Sequence, residues 1–412
     1  MRRFESMLRT SALVVCLSVA GAQAQTPSAA SLFSGYVTRG QLAQGEADFA
    51  RRPPDAANIA ALGMIRFVRA IEKFGQAMHR HGLQAPSGLP MIPILRLPVP
   101  SNPNPEPLTY EKLRAIYVAF LADLATAEST MQKMPAGDVK LPVDLMAVRL
   151  DLDGDGVASE AESLGGIFAA LAGRGAQPRP PAWEVAFDRA DVIWLRGYSR
   201  LISGLLEFVM AYDWRETYAA AGHLFFTGAP DPSAGSAAQD TIVNAMVGRG
   251  GERIADVIAL MHLVHWPLAE PERLIRARDH LKGVITLSRE NWKEILAETD
   301  DDREWVPGPH QKNSAFPGMS VTQERVDGWL RALDSFEAML DGKMLAPHWR
   351  YNLGVDVSAI FASPRPFDLV LWLTGHAALP YLKQGPIMSQ EDWRQWQRTF
   401  GGQFMNFAAW FN

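Results

Sequence analysis

The chain holds a single cysteine, Cys16, and it lies within the first 24 residues. That stretch reads as a secretory leader: Arg2, Arg3 and Arg9 stand ahead of an apolar run from Ala12 to Ala20, and Ala22-Gln23-Ala24 offers small residues for cleavage. A chain cut there contains no cysteine, which excludes disulfides, thiolate metal sites and cysteine nucleophiles. Long apolar runs are also missing. The leader's run is too short for a resident bilayer helix, and nothing after residue 24, Leu369 to Thr374 included, approaches the roughly twenty residues of a span. Positive charge is in short supply: the formal net charge is −5, and removing three arginines and Glu5 takes it to −7, so nucleic acid is not an expected partner. The expectation is a soluble periplasmic or secreted protein with no transmembrane segment in its mature chain.

Sustained period-2 patterning is absent too, and helical periodicity fills its place. Leu62, Ile65, Val68, Ile71, Phe74 and Met78 recur every three to four residues, as do Leu113, Ile116, Tyr117, Phe120, Leu121 and Leu124. Ile193, Tyr198, Leu201, Ile202, Leu205 and Phe208 form a third stripe, and Ile254, Val257, Ile258 and Met261 a fourth. A fifth runs through Val326, Leu330, Leu333, Phe336 and Leu340, with Ser320 and Gln323 in capping-box spacing before it; Ser389 and Asp392 repeat that signal near the C-terminus. With 48% hydrophobic residues the chain can bury a large core. The fold class expected is all-α, helical hairpins packed into one large array.

Composition shifts set the expected organisation. After the leader (1–24) come an N-terminal helical segment (25–85), a connector over 86–108 whose eight prolines cannot be helical, a helical region over 109–226, and a C-terminal helical region over 236–412. Shorter breaks fall near Pro178 to Pro181, Gly228 to Gly235 and Asp300 to Gly318. No repeat of fixed period is present, so a solenoid is not supported.

The strongest chemical signal is the twelve-residue stretch 151–162, Asp-Leu-Asp-Gly-Asp-Gly-Val-Ala-Ser-Glu-Ala-Glu. Asp151, Asp153 and Asp155 stand at alternate positions, Gly156 follows at the sixth and Glu162 closes at the twelfth, filling D-x-[DN]-x-[DN]-G-x5-E. Short carboxylates at this spacing can converge on a hard divalent cation that takes six to eight oxygens, and a glycine makes the sharp turn between them at little steric cost.

This loop resembles an EF-hand. The resemblance implies a calcium ion held by Asp151, Asp153 and Asp155, by the Val157 carbonyl, by Ser159 directly or through a water, and by both oxygens of Glu162. The chain as a whole also resembles exported bacterial proteins carrying one such loop, a likeness that implies no activity. There are departures. The eighth position, usually a bulky aliphatic that pairs with a partner loop, is Ala158, and Ala147 stands where an aromatic is common. No second loop is present, since Asp300-Asp301-Asp302 lacks both alternation and glycine. Leu164, Ile167, Phe168 and Leu171 make an amphipathic exit helix, whereas Pro142 leaves the lead-in either a short helix or an extended segment. A lone loop with a small eighth residue looks like a static ion clip rather than half of a sensor.

Other constellations weigh less. His262 and His265 lie three apart, with His280 and His223 elsewhere, but H-E-x-x-H and paired Glu-x-x-His signatures are missing, so buried, hydrogen-bonded histidines beside Trp266 are the simpler reading. Glu216 and His223 share a helix face and could form an acid/base pair in a cleft. Asp188, Arg189, Asp191 and Arg196 read first as a charged helix start. No G-x-S-x-G elbow and no G-x-x-x-x-G-K-[ST] or G-x-G-x-x-G nucleotide loop occurs. Most of the twelve tryptophans suit core packing; Trp393 and Trp396, with Arg394 and Arg398 nearby, are the pair to inspect as a binding surface. The closing Phe407-Ala408-Ala409-Trp410-Phe411-Asn412 is apolar enough to dock on the body.

The reading is therefore an exported, all-α calcium-binding protein whose ion is structural, acting as a periplasmic binding or scaffold protein. The alternative is a periplasmic hydrolase with a histidine/carboxylate site drawn from His223, His262, His265 and Glu216.

Overall fold

A 25-residue helix, α3 (Ala56–Arg80), organises the N-terminal half. Asp55 caps it by accepting from the Asn58 amide at 2.8 Å, and His79 and Arg80 stand in its last turn, where the helix dipole favours positive charge. The computed structural model describes residues 27–84, 99–172, 183–230, 258–315 and 321–400. The leader, residues 86–98 of the connector, the break at Pro178 to Pro181, Ile254, Val257, Ser320 and the apolar C-terminus lie outside these residues, as do the side chains of Phe168 and Leu171.

The fold is all-α. Ahead of α3 stand α1 (Ala29–Thr38) and α2 (Leu42–Phe49), and after it α4 (Tyr110–Met131), capped by Thr109. The apolar stripes of α3 and α4 meet: Phe74 stacks on Phe120 with ring centroids 4.5 Å apart, and Gly63 lies so close to Met131 that a Cβ there would fall 2.2 Å from Met131 Cγ. Leu62, Ile65, Phe74 and Met78 are buried together with Leu113, Tyr117, Phe120 and Leu124, as the periodicity requires.

Helix α5 (Leu164–Ala172) follows the acidic loop, and α6 (Arg189–Met210), opened by a reciprocal Asp188/Asp191 capping box, leads to α7 (Arg215–Ala221). The described C-terminal half contains α8 (Glu272–Ala297), α9 (Gln323–Leu340), the short helices α10 (Val357–Ala362) and α11 (Leu369–Leu373), and α12 (Gln390–Phe400). Helices α6 and α8 run against each other, with Gly204 beside His280 and Gly283 beside Arg200. Helix α6 supplies Val192, Leu195, Leu206 and Met210 to an N-terminal core shared with α1–α4, while Ala190 joins a second core around Trp292, Trp329 and Trp396. Residues 27–84 and 109–226 thus share one core.

Three details differ from the periodicity. On α6 the buried face is Val192, Ile193, Leu195, Leu206 and Met210, and Leu205 faces solvent, because two neighbours rather than one cover this helix. Ile258 and Met261 are exposed. Helix α9 starts two residues later than the Ser320 signal places it, with Thr322 accepting from the Arg325 amide. By contrast, Ser389 Oγ accepts from the Asp392 amide at 3.1 Å before α12, as its spacing suggests.

Two-stranded ribbons stitch the helices. Antiparallel β1 (Leu141–Asp144) pairs with β2 (Glu184–Phe187), β3 (His265–Trp266) with β5 (Phe367–Asp368), and β4 (Gly354–Val355) with β6 (Leu382–Lys383). The described end of the connector is docked rather than free: Glu106 donates its amide to the Arg80 carbonyl, and Leu108 donates to that of Gly228.

Candidate metal centre

The loop at 151–162 is entered by an extended chain. Strand β1 and a 3₁₀ turn over Leu145–Ala147 lead into it, so Pro142 sits in a strand and the incoming helix of a complete helix–loop–helix unit is replaced by a ribbon. A short 3₁₀ turn (Glu160–Glu162) and α5 leave it. Entry and exit are joined by backbone bonds, Leu150 donating to the Glu162 carbonyl at 3.3 Å and Leu164 to that of Val148 at 2.8 Å.

Inside the loop the aspartates fold over their own backbone. Asp151 Oδ1 and Oδ2 accept from the amides of Gly154 (2.8 Å) and Gly156 (3.1 Å), Asp153 Oδ1 from Asp155 (3.1 Å), and Asp155 Oδ1 from Val157 (2.7 Å). Gly154 and Gly156 take φ of +78° and +90°, the left-handed region that a side chain disfavours. As a result, Asp151, Asp153 and Asp155 each present an oxygen within 4.8 Å of the others.

Glu162 is placed differently. Its carboxylate is buried and turned onto loop amides, Oε1 accepting from Leu152 (2.8 Å) and Asp153 (3.3 Å), Oε2 from the Ser159 amide (2.9 Å) and hydroxyl (2.7 Å). It is not in the group the three aspartates form. To bind an ion with both oxygens it must share or release these amides. Ser159 is tied to Glu162, and Val157 is exposed at the loop's outer turn.

The surroundings explain both the charge and the lone loop. Burial raises the Asp151 carboxyl, and the Asp153 and Glu162 charges add to that against the two glycine amides. Burial also raises Glu162, but the Ser159 hydroxyl and the amides outweigh it and leave the carboxyl below its usual range. Beneath the loop, Glu72 of α3 accepts the Asp151 amide at 3.0 Å, and Gln76 donates to the Asp151 carbonyl at 2.8 Å. Burial, with Asp151 and Glu162 adding, pushes Glu72 up to about 7. Ala158, at the position that would meet a partner loop, packs on Gly40 between α1 and α2: a Cβ built on Gly40 would lie 2.2 Å from that of Ala158.

The donor set is one that hard divalent cations take: carboxylate oxygens of three aspartates converge from one loop, and no imidazole or thiolate is among them.

A second acidic group, not read from the sequence, joins segments more than a hundred residues apart. Asp188, Glu298 and Glu304 bring oxygens within 4.8 Å of one another, and fully buried Asp191 sits behind Asp188. Gln311 donates to Glu298 Oε2 at 3.0 Å and the Asp302 amide to Glu304 Oε1 at 2.9 Å. Burial first, then the Asp188 charge, pushes Glu298 up to about 9; burial pushes Glu304 up to about 7. Asp188 and Asp191 are raised by burial as well. Such a group retains protons at neutral pH unless a cation replaces them.

The histidine constellation does not assemble. Among the described residues, His223, His262, His265 and Glu216 form no metal-ligand group. His223 lies in a 3₁₀ turn, Glu216 is exposed on α7, and His265 Nδ1 instead contacts Asp368 Oδ2 at 2.9 Å across the β3–β5 ribbon. Of the suspected aromatic pair, Trp396 is buried against Phe336 and Trp393 is exposed. Comparison with protein families, with curated proteins and with solved structures finds no match.

Proposed function

We propose that the protein is an exported calcium-binding protein in which the ion is structural, and that it acts as a periplasmic binding or scaffold protein. The observation that carries this is the convergence of Asp151, Asp153 and Asp155 in a loop whose sixth residue, Gly156, turns at φ +90°. Asp151, Asp153 and Asp155 would hold the ion, with Glu162 and the Val157 carbonyl closing the shell. Calcium supplies charge neutralisation here. The chain's own residues do the rest: Glu72 and Gln76 orient Asp151, and Ser159 holds Glu162 at the loop's exit. Because the loop bonds α3 on one side and packs on the α1–α2 turn through Ala158 on the other, fixing it fixes the seam between these helices and α5. Export is supported by the leader-like residues 1–24 and by a mature chain free of cysteine.

The test is thermal unfolding of chelator-treated protein with calcium restored. A ligand at a hundredfold its Kd adds about 2.7 kcal/mol to stability. Wild type should melt higher with calcium and Asp151→Ala should not respond; an unmoved wild-type transition at millimolar calcium refutes the reading.

A further inference from the structure

Exposed large apolar side chains cluster in one region. Trp349 is 74% exposed, Leu373 61%, Leu379 50% and Leu371 43%. They surround one turn: Gly375 (φ +80°) lies against the rings of His348 and Trp349, and Arg350 Nη1 donates to the Thr374 carbonyl at 2.9 Å, so the loop bearing Trp349 rests between α11 and the 3₁₀ helix His376–Tyr381. Leu353 and Ile387 are exposed beside the adjoining β4–β6 ribbon, where Gly354 abuts Ile387.

The charges here are sorted by depth. Asp356 and Asp368 are 15% and 22% exposed and each caps a helix; Asp356 also pairs with Lys383, and Asp368 contacts His265 Nδ1 at 2.9 Å. Lys383 is 59% exposed, and Arg350 and Arg365 also reach solvent. The face therefore shows water apolar groups and cations, in a chain whose net charge is −5. His348 stacks on both Trp349 and Tyr351, and the Arg350 guanidinium lies 5.9 Å from the Trp349 ring centroid. Rings with a polar edge, leucines at their side and arginines able to lift their heads is the composition that settles at a lipid headgroup boundary.

We propose that this face docks on an anionic lipid surface, with Trp349, Leu371, Leu373 and Leu379 entering the headgroup region and Arg350 and Arg365 facing lipid phosphates. No helix among the described residues is long and apolar enough to cross a membrane, so the attachment is peripheral. The inference is independent of the calcium reading.

Flotation of the full-length protein with vesicles of phosphatidylcholine and phosphatidylglycerol in equal parts tests it, with pure phosphatidylcholine as the comparison. Binding should require the anionic lipid, and Leu373→Glu should weaken it roughly tenfold while melting stays unchanged. Trp349→Phe keeps the apolar contact and should still bind, yet lose part of the tryptophan quenching caused by brominated phosphatidylglycerol. Absence of flotation, unchanged flotation by Leu373→Glu, or unchanged quenching in Trp349→Phe overturns the proposal. So does a wild-type dimer that Leu373→Glu dissociates, since a second copy then covers the face.

Discussion

The Asp151 backbone amide donates to Glu72 Oε1 at 3.0 Å, so the first aspartate of the loop hangs from a buried carboxylate in the body of α3. Truncation by Glu72→Ala leaves that amide without its acceptor and removes negative charge from below the site. It should cost about 1–3 kcal/mol in denaturant unfolding and also weaken calcium binding. A variant with wild-type stability and affinity would show that α3 does not hold the loop.

Gly40 links the loop to the α1–α2 turn. At φ +67°, and with Ala158 Cβ 2.2 Å from where its own Cβ would be, Gly40→Ala combines a strained backbone with a steric conflict. The expected destabilisation is roughly 1–3 kcal/mol, with reduced calcium affinity because Ala158 must shift. Paired melting and calcium-titration curves decide this; Ala158→Gly in the same chain should restore part of both.

The Asp188, Asp191, Glu298 and Glu304 group sets a pH dependence. Glu298 rises from an ordinary 4.5 to about 9, and Glu304 from 4.5 to about 7. A carboxyl raised on folding binds its proton more tightly in the folded state, so its stabilisation is complete below the ordinary value and lost as pH climbs through the folded one. Chelated protein should therefore lose melting temperature between about pH 5 and pH 9. Glu298→Gln, which keeps a polar group of the same shape without the charge, should flatten the upper part of that decline. A flat wild-type profile contradicts the upward shifts of Glu298 and Glu304.

Export predicts processing. Protein recovered from the periplasmic fraction of a bacterial host should begin at Gln25, after Ala22-Gln23-Ala24, and N-terminal sequencing or intact mass reads this directly. An N-terminus at Met1 would remove the argument for that compartment.

What could be read from residues alone follows from how local the determinant is. The α3 and α4 stripes are legible because each helix buries one face against the other, Phe74 on Phe120. On α6 the same reasoning misplaces Leu205, since two cores share that helix and its buried surface is no single stripe. The aspartates of 151–155 stand at alternate positions of one short segment, so their convergence is encoded in spacing and in two left-handed glycines. The seating of Ala158 on Gly40 is not, because it depends on which segments pack there; the turn of Glu162 onto amides of its own loop is local, yet ligand spacing alone does not show it. Least legible is the Asp188–Glu298–Glu304 group: the acidic density of 298–304 was visible, but nothing in it points to a helix start more than a hundred residues earlier. The short ribbons escape for a simpler reason, as two to four residues cannot display a period.

Isothermal titration of calcium into chelator-treated protein reads the ion site most directly. Wild type should bind with saturable heat, and the heat belonging to one equivalent should vanish in Asp151→Ala and Asp153→Ala while folding persists. Heat identical in wild type and both variants, or none at all at millimolar calcium, would mean that the three aspartates of this loop hold no ion.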